Sequence, residues 1–168
     1  LGLGTNQGSH SGTSPLCNQI QSFESSVGIA FAVAAGNEAG LQHHYMGTVG
    51  PDQAYDDVEI RVGPEEGGFC LELWASNAEL YTVGFVSPSG EVVDRIGIRV
   101  ERDITIPFRF DGTSVTISFL DNESGSGSQL IFMRFDRPAQ GIWHIRVYPT
   151  VILSGQFHMW LPMQGFIT

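Results

Sequence analysis

The strongest candidate for a catalytic side chain in this sequence is an asparagine at the end of a short apolar segment. Residues 30–40 read Ala-Phe-Ala-Val-Ala-Ala-Gly-Asn-Glu-Ala-Gly, so a short apolar run ends in Gly36 and Asn37. An amide N–H held rigidly at the end of a buried strand can stabilise the oxyanion formed when a nucleophile attacks a peptide carbonyl. The residues alone favour a simpler interpretation, in which Asn37 closes a turn after the strand. The choice therefore depends on the flanking segments.

The residues before this run predict a helix followed by a buried strand. Ser14 precedes Pro15, which is the pattern of a helix N-cap followed by proline at the first helical position. Apolar residues then recur at spacings of four, three and four, on one face of the helix: Leu16, Ile20, Phe23 and Val27. Gly28 predicts the helix stop, and the apolar run over 29–35 predicts a parallel strand covered on both faces. Together they form half of a βαβ unit.

From about residue 56 the hydrophobic period becomes two, which is typical of strands with one buried face. The clearest alternating apolar sets are Val58, Ile60 and Val62, then Phe69, Leu71 and Leu73. Further strands are predicted at 79–87, 96–110, 113–120, 129–135, 142–149 and 155–161, with turn residues between them. About eight strands at this spacing indicate an antiparallel β-sandwich, most simply a jelly roll. The predicted fold class is mainly β, with a small N-terminal α/β piece.

Composition excludes several classes of function. The chain of 168 residues has a net charge of −10, which argues against nucleic acid or an anionic membrane as a partner. No apolar run approaches the roughly 18 residues of a membrane span, and no signal peptide is present. Because the sequence opens on Leu1 without an initiator Met, we expect a piece of a longer protein. No zinc-ligand spacing occurs, no cofactor is predicted, and the thiols of Cys17 and Cys70 are expected to be free.

Three short segments together form a recognisable family pattern. They are residues 2–10 (Gly-Leu-Gly-Thr-Asn-Gln-Gly-Ser-His), 34–38 (Ala-Ala-Gly-Asn-Glu) and 43–45 (His-His-Tyr). The combination resembles the subtilisin-like serine peptidases, and more narrowly their clostridial Csp-like branch, although Gly2 stands where the family usually has Ser. That branch carries a β-sandwich or jelly-roll insertion between its oxyanion Asn and its nucleophilic Ser.

The resemblance implies three parts and several site residues. Residues 1–45 would be a partial catalytic core, 46–160 the inserted sandwich and 161–168 a segment that returns to the core. Within the core, Asn37 would be the oxyanion-hole donor. The backbone of three further residues would line an extended peptide or protein substrate, namely Gly2, Leu3 and Gly4.

The resemblance also implies what this stretch of sequence lacks. The family's catalytic Asp and His would lie before it and the Ser after it, so the chain alone is expected to be inactive. Ser14 echoes the family's nucleophile motif in Gly-Thr-Ser, but it precedes Asn37 in the chain and already has a role as an N-cap. The parent protein is expected to be bacterial and either secreted or associated with the spore or cell envelope.

Two other classes of function stay open on the sequence. The sandwich could be a carbohydrate- or protein-binding jelly roll unrelated to catalysis, or the parent could be a pseudoprotease. Trp74 and Trp160 lie opposite the main apolar stripes, so they would either stack on sugars or be covered by the catalytic core. The unpaired edge of a strand at 29–35 predicts that the isolated chain forms a homo-oligomer.

Two clusters of metal-ligand residue types have simpler interpretations. His43 and His44 point to opposite sides of an extended backbone, which favours a hydrogen-bonding role at the junction over a shared metal. An acidic stretch lacks the loop spacing of a calcium site and is interpreted as a solvated face: Asp52, Asp56, Asp57, Glu59, Glu65 and Glu66.

Overall fold

The computed structural model describes residues 2, 4–24, 26–76, 78–99 and 102–163, and confirms a mainly β chain. The elements within these ranges are α1 (Pro15–Glu24), β1 (His44–Thr48), β2 (Asp56–Val62), β3 (Gly68–Ala75), β4 (Leu80–Val86), β5 (Val92–Ile96), β6 (Ile104–Phe108), β7 (Thr113–Leu120), β8 (Leu130–Asp136), β9 (Gly141–Val151) and β10 (Gln156–Trp160). All strand pairs are antiparallel.

The strands form two sheets with jelly-roll connectivity. One sheet has the order β1-β10-β3-β8-β7-β6, and the other has the order β2-β9-β4-β5. The pairs β1 with β10, β2 with β9 and β3 with β8 are nested, as in a long antiparallel hairpin rolled so that successive pairs alternate between sheets. The predicted sandwich is confirmed, and its wrapping is that of a jelly roll.

Alternating side chains of both sheets fill the space between them. The predicted inward residues Trp143, Ile145 and Val147 of β9 are fully buried. The Trp143 ring packs edge-on against Phe108 and Phe135, at centroid distances of 4.9 and 5.4 Å. Such aromatic pairs contribute roughly 0.5–1.5 kcal/mol each beyond the burial of their area. The indole N–H of Trp143 donates to the carbonyl of Ala139 at 3.0 Å, so this buried polar group is satisfied.

The predicted strand over 96–110 is wrong as a single element. The structure instead has β5 on the edge of the four-stranded sheet and β6 on the edge of the six-stranded sheet. The chain therefore crosses between the two sheets within this stretch. β5 ends at Ile96, where the predicted strand begins, so β5 was not predicted, and within the predicted range only β6 over 104–108 forms a further strand. The sequence also did not predict β1, whose neighbour β10 lies more than 100 residues away.

The predicted helix is confirmed at its start. The backbone N–H of Cys17 donates to Oγ of Ser14 at 3.2 Å, which is the N-cap bond that the Ser-Pro pair predicts. The helix ends at Glu24, so Val27 and Gly28 lie beyond it rather than in its last turn and at its stop. The residues of α1 are exposed or partly exposed, and none is buried.

The predicted buried strand over 29–35 is not formed. The structure assigns no strand there, and Ile29, Phe31 and Val33 are 47%, 44% and 58% exposed. A parallel strand buried on both faces needs neighbouring strands and covering helices. Every described strand of this chain belongs instead to the two antiparallel sheets. This segment therefore pairs with none of the described strands, and hydrophobicity alone does not produce a strand.

Candidate functional site

The N-terminal segment lies on the outer face of the six-stranded sheet. The backbone N–H of Gly8 donates to Oε2 of Glu72 at 2.8 Å. The same oxygen accepts the indole N–H of Trp74 at 2.8 Å. Glu72 and Trp74 are only 7% exposed, so this carboxylate is a buried anchor for the segment. A charge-assisted bond of this kind is worth about 1.5–3 kcal/mol when it is buried.

Four aromatic rings extend this contact along the sheet. The imidazoles of His10 and His44 lie nearly parallel to the Trp160 indole, at centroid distances of 3.9 and 3.7 Å. Two imidazoles at these distances cannot fit side by side on the same face of the indole. His10 and His44 therefore cover opposite faces of Trp160. The ring of His158 stacks next to that of His44, and His44 Nε2 and His158 Nδ1 share a hydrogen bond of 2.9 Å.

The ring stack changes the acid–base properties of His44. Partial burial, followed by the nearby imidazoles of His158 and His10, lowers the pKa of His44 below its ordinary value. The hydrogen bond between His44 Nε2 and His158 Nδ1 requires one of these nitrogens to donate and the other to accept.

A second set of contacts joins the two ends of the N-terminal region. Asn6 Nδ2 donates to Oε2 of Glu38 at 3.1 Å, and the same carboxylate oxygen lies 2.5 Å from Nδ1 of His43. The His43 carbonyl accepts the N–H of Leu161 at 2.8 Å, just after β10. Glu38 thus links the predicted substrate-lining segment, the predicted oxyanion segment and the junction with the sandwich.

Asn37 lies next to this cluster and remains exposed. Its predecessor Gly36 has a φ of +82°, a left-handed conformation that suits glycine and turns the chain before Asn37. Within the described residues no hydrogen bond engages the Asn37 side-chain amide. The amide is therefore available to an external acceptor, whereas its neighbour Glu38 is anchored.

The predicted substrate-lining residues are only partly described. Gly2 and Gly4 are exposed, and Leu3 lies outside the described residues. A Cβ placed on Gly4 would lie 3.6 Å from the sulfur of Met163, so this glycine contacts the segment that follows β10. Asn6 brings the segment close to Glu38, but no contact joins Gly2 or Gly4 to Asn37.

The other sequence candidates have structural roles. His43 contacts Glu38 while His44 contacts Trp160, as their predicted opposite orientation requires. Ser14 caps α1. The thiols of Cys17 and Cys70 are free, as predicted.

The described residues contain neither a metal-binding cluster nor a membrane-spanning helix. Across these residues, no three His, Cys, Asp or Glu side chains group together in a way that could hold a metal ion. The described part of the chain contains no helix long and apolar enough to cross a membrane. In the acidic stretch, Asp56 accepts the Tyr45 hydroxyl at 2.9 Å, and burial together with this bond raises the Tyr45 pKa to about 12.

Sequence reasoning missed the ring stack and the Glu72 anchor. His158 and Trp160 alternate with the buried Phe157 and Met159, so their outward direction was readable. The stacking of His10 on Trp160 could not be predicted, because it depends on where the N-terminal segment crosses the sheet. Both tryptophans are covered by other residues of this chain. Neither has a free ring face for a sugar: Trp160 is covered on both sides and Trp74 is buried.

The chain was compared with known protein families, curated proteins and solved structures. No protein-family model and no curated protein matches the sequence. Among solved structures, the CspB protease of Clostridium perfringens is similar, with a TM-score of 0.82 and 26% sequence identity. The similarity covers 96% of this chain and 34% of that protease, so the chain spans about a third of the length of its structural neighbour. Over nearly its whole length, the chain is therefore similar to part of a clostridial subtilisin-like protease.

Proposed function

We propose that this chain is part of a subtilisin-like serine endopeptidase of the Csp-like type. In this proposal residues 1–45 belong to the catalytic core, 46–160 form the inserted jelly roll and 161–168 return to the core. The observation that carries it is the similarity to a protease across both the N-terminal region and the sandwich. A freestanding binding jelly roll would match such a protein only in its β part.

In this proposal Asn37 donates its side-chain N–H to the oxyanion of the tetrahedral intermediate. The donor must be fixed before the reaction, because reorganising it in the transition state would cost the energy that it provides. Gly36 turns the chain, and Glu38 is tied to Asn6 and His43. The Glu38 contacts hold the residue after Asn37, and the Asn37 amide stays open to an acceptor.

The segment ahead of Asn6 is proposed to bind substrate through its backbone. The backbone N–H and C=O groups of Gly2, Leu3 and Gly4 would pair with an extended peptide as a neighbouring strand. The substrate is therefore a peptide or protein in extended form. The nucleophilic Ser and its His and Asp partners would come from outside residues 1–168.

The jelly roll is proposed to rigidify the enzyme or to limit access to its cleft. The Glu72 anchor and the ring stack bind the N-terminal segment to the sandwich, so the two parts stabilise each other. Deleting 50–158 from the intact protein separates these roles. A lower melting temperature indicates rigidification, and faster turnover of folded protein substrates indicates restricted access.

The catalytic role of Asn37 is tested in the intact protein. Replacing one oxyanion donor costs about 10²–10³ in kcat in such enzymes, with little change in KM. We expect this loss for Asn37→Ala and none for Asn122→Ala, an exposed asparagine on the loop between β7 and β8. Equal turnover by the two variants would exclude the proposed role.

The isolated chain is proposed to lack hydrolytic activity. We expect no labelling by a fluorophosphonate and no cleavage of a peptide substrate, while labelling at Ser14 would contradict the proposal. The parent is proposed to be secreted or associated with the spore or cell envelope. Exposed Ile29, Phe31 and Val33 also favour self-association of the isolated chain, which sedimentation velocity over a range of concentrations would detect.

A further inference from the structure

A cavity of about 960 Å³ lies between the N-terminal segment and the outer face of the six-stranded sheet. Its wall includes Gly4 and Thr5 on one side and Pro162 and Met163 on another. Its floor is formed by outward side chains of β3, β6, β7 and β8. The volume is in the range of cavities that bind small ligands or side chains.

Arg134 lies at the centre of this floor. Strand register places it directly between Cys70 of β3 and Thr116 of β7. Thr105 of β6 lies next in the row and shares a 3.0 Å hydrogen bond with Thr116. Ser114 adds a further hydroxyl to the lining. The floor therefore combines one guanidinium with several hydroxyl groups.

The guanidinium of Arg134 has no acidic partner among the residues that the structure describes. The cavity also contains Asp136, but that carboxylate lies 3.5 Å from Nε of Arg137. Two residues beyond Cys70 on β3, Glu72 accepts the N–H groups of Gly8 and Trp74. Both nearby carboxylates thus have donors of their own, and Arg134 is free to bind an external anion.

We propose that this cavity binds an acidic side chain of an extended peptide, with Arg134 as the residue that determines this preference. The inference rests on the proposed function, because Gly4 both lines the cavity and belongs to the segment proposed to bind substrate backbone. A peptide strand along this segment projects alternate side chains to one side. A carboxylate suits Arg134 because a guanidinium forms two parallel hydrogen bonds to it.

The charge of the chain makes this site selective. With a net charge of −10, the chain as a whole repels acidic peptides. Binding of such a peptide must therefore come from a local cation rather than from general attraction. This distinguishes the proposal from nonspecific binding, which would favour basic peptides.

Cys70 provides a direct probe of the cavity in the 168-residue chain. Its free thiol lines the cavity beside Arg134, while the free thiol of Cys17 is exposed on α1 and serves as an internal reference. The rate of iodoacetamide alkylation at each cysteine is measured by mass spectrometry. The added peptides are acetyl-Ala-Ala-Glu-Ala-Ala-amide and the same peptide with a central Gln.

We expect the Glu peptide to slow alkylation of Cys70 and to leave Cys17 unchanged. Because a charge-assisted pair is lost, the Gln peptide should need a concentration about tenfold higher for the same protection. The difference between the peptides should disappear in Arg134→Gln and persist in Arg61→Gln, which removes an equal charge on the other sheet. Rates are compared with and without peptide within each variant, because Arg134 also affects the Cys70 thiol.

Three results with the peptides would overturn the inference. They are equal protection by the two peptides, no protection by either, and a preference for Glu that survives Arg134→Gln. Protection by glucuronate as strong as that by the Glu peptide would also overturn it, because the site would then recognise a carboxylate without a peptide. If the peptides do not protect Cys70 as expected but Asn37→Ala loses turnover, the proposed acidic side-chain site is refuted and the proposed function is not. Protection of Cys70 together with no peptide turnover by the intact protein would keep the peptide site and refute the proteolytic function, whereas equal turnover by Asn37→Ala would exclude only the oxyanion role of Asn37.

Discussion

Asn6 donates a hydrogen bond of 3.1 Å from its side-chain amide to the carboxylate of Glu38. The two residues are 32 positions apart, with α1 and the apolar segment between them. Glu38 also binds His43, which precedes the first strand of the sandwich. The residue directly after Asn37 is therefore bonded both to the start of the N-terminal region and to the junction with the jelly roll.

Removing this carboxylate should release the segment around Asn37 without unfolding the sandwich. In Glu38→Ala we expect amide hydrogen exchange over 4–10 and 36–43 to rise about tenfold or more, because a charge-assisted hydrogen bond is worth about 1.5–3 kcal/mol. The melting temperature should stay close to that of the parent chain. Glu59→Ala, which removes an exposed carboxylate from β2, is the matched control and should leave exchange unchanged.

Glu79 should make the sandwich sensitive to acid. It is 1% exposed, and its Oε1 accepts the backbone N–H groups of Leu153, Ser154 and Gly155. Burial alone would raise the pKa of Glu79, but these bonds outweigh burial and hold the pKa below its ordinary value of 4.5. Its stabilisation is therefore present above pH 4.5 and is lost as pH falls through the lower pKa of the folded state.

We expect Glu79→Gln to lose about 2–4 kcal/mol of unfolding free energy at pH 7, since an amide oxygen accepts these donors less strongly. Below pH 4 the difference from the parent chain should shrink. Urea unfolding from pH 3 to pH 7 measures both effects, and Glu59→Gln provides the exposed reference. A penalty that is independent of pH would contradict the assigned cause.

The ring stack should make docking of the N-terminal segment depend on pH. The pKa of His44 is lowered in the folded state, so the unfolded state binds more protons as pH falls below 6.5. Docking should accordingly be complete above pH 6.5 and weaken toward lower pH. The titratable groups that act on this imidazole are His158 and His10.

Hydrogen exchange over 4–10 at pH 5.0 and 7.5, corrected for its intrinsic pH dependence, measures this effect. His44→Phe keeps an aromatic ring on Trp160 but removes the proton, so its exchange should respond less to pH than that of the parent chain. Arg61→Gln lies on the other sheet and should behave like the parent. A pH response unchanged in His44→Phe would assign the effect to other groups.

Gly155 should not tolerate a side chain. Its φ is +75°, and an added Cβ would contact the Val49 carbonyl oxygen far inside the van der Waals distance. The N–H of Val49 also donates to the Gly155 carbonyl at 2.9 Å, so the backbones cannot separate freely. We expect Gly155→Ala to lose about 3 kcal/mol or more. Gly67→Ala, which has open space around its Cβ position, should change stability by less than about 1 kcal/mol in the same urea titration.

The strands of the sandwich were predictable where local pattern and tertiary environment agree. Val58, Ile60 and Val62 face the core as their alternation predicts, and the predicted 113–120 strand matches β7 residue for residue. The boundary within 96–110 was not predictable, because the chain changes sheet there without changing its period. The cap formed by Ser14 was predictable, because an N-cap bond depends only on neighbours within the first turn.

The N-terminal region shows the opposite behaviour. Residues 29–35 have the composition of a buried parallel strand, yet they form no strand here, and Ile29, Phe31 and Val33 are exposed. The composition of a segment indicates whether burial would stabilise it, but not whether neighbouring strands are present to bury it. The sequence also indicated Asn37 only through its neighbours, since an isolated Ala-Ala-Gly-Asn run is equally typical of a turn.

By itself the sequence determined the mainly β class, the inward faces of most strands, the helix cap and the likeness to a peptidase segment. These depend on short-range periodicity and on residue types a few positions apart. Only the tertiary structure decided that Glu72 anchors Gly8, that Trp160 is covered by His10 and His44, and that Arg134 lines a cavity with Gly4 and has no acidic partner among the described residues. Each of these contacts joins residues far apart in the chain, and their distances are fixed by how the jelly roll rolls up.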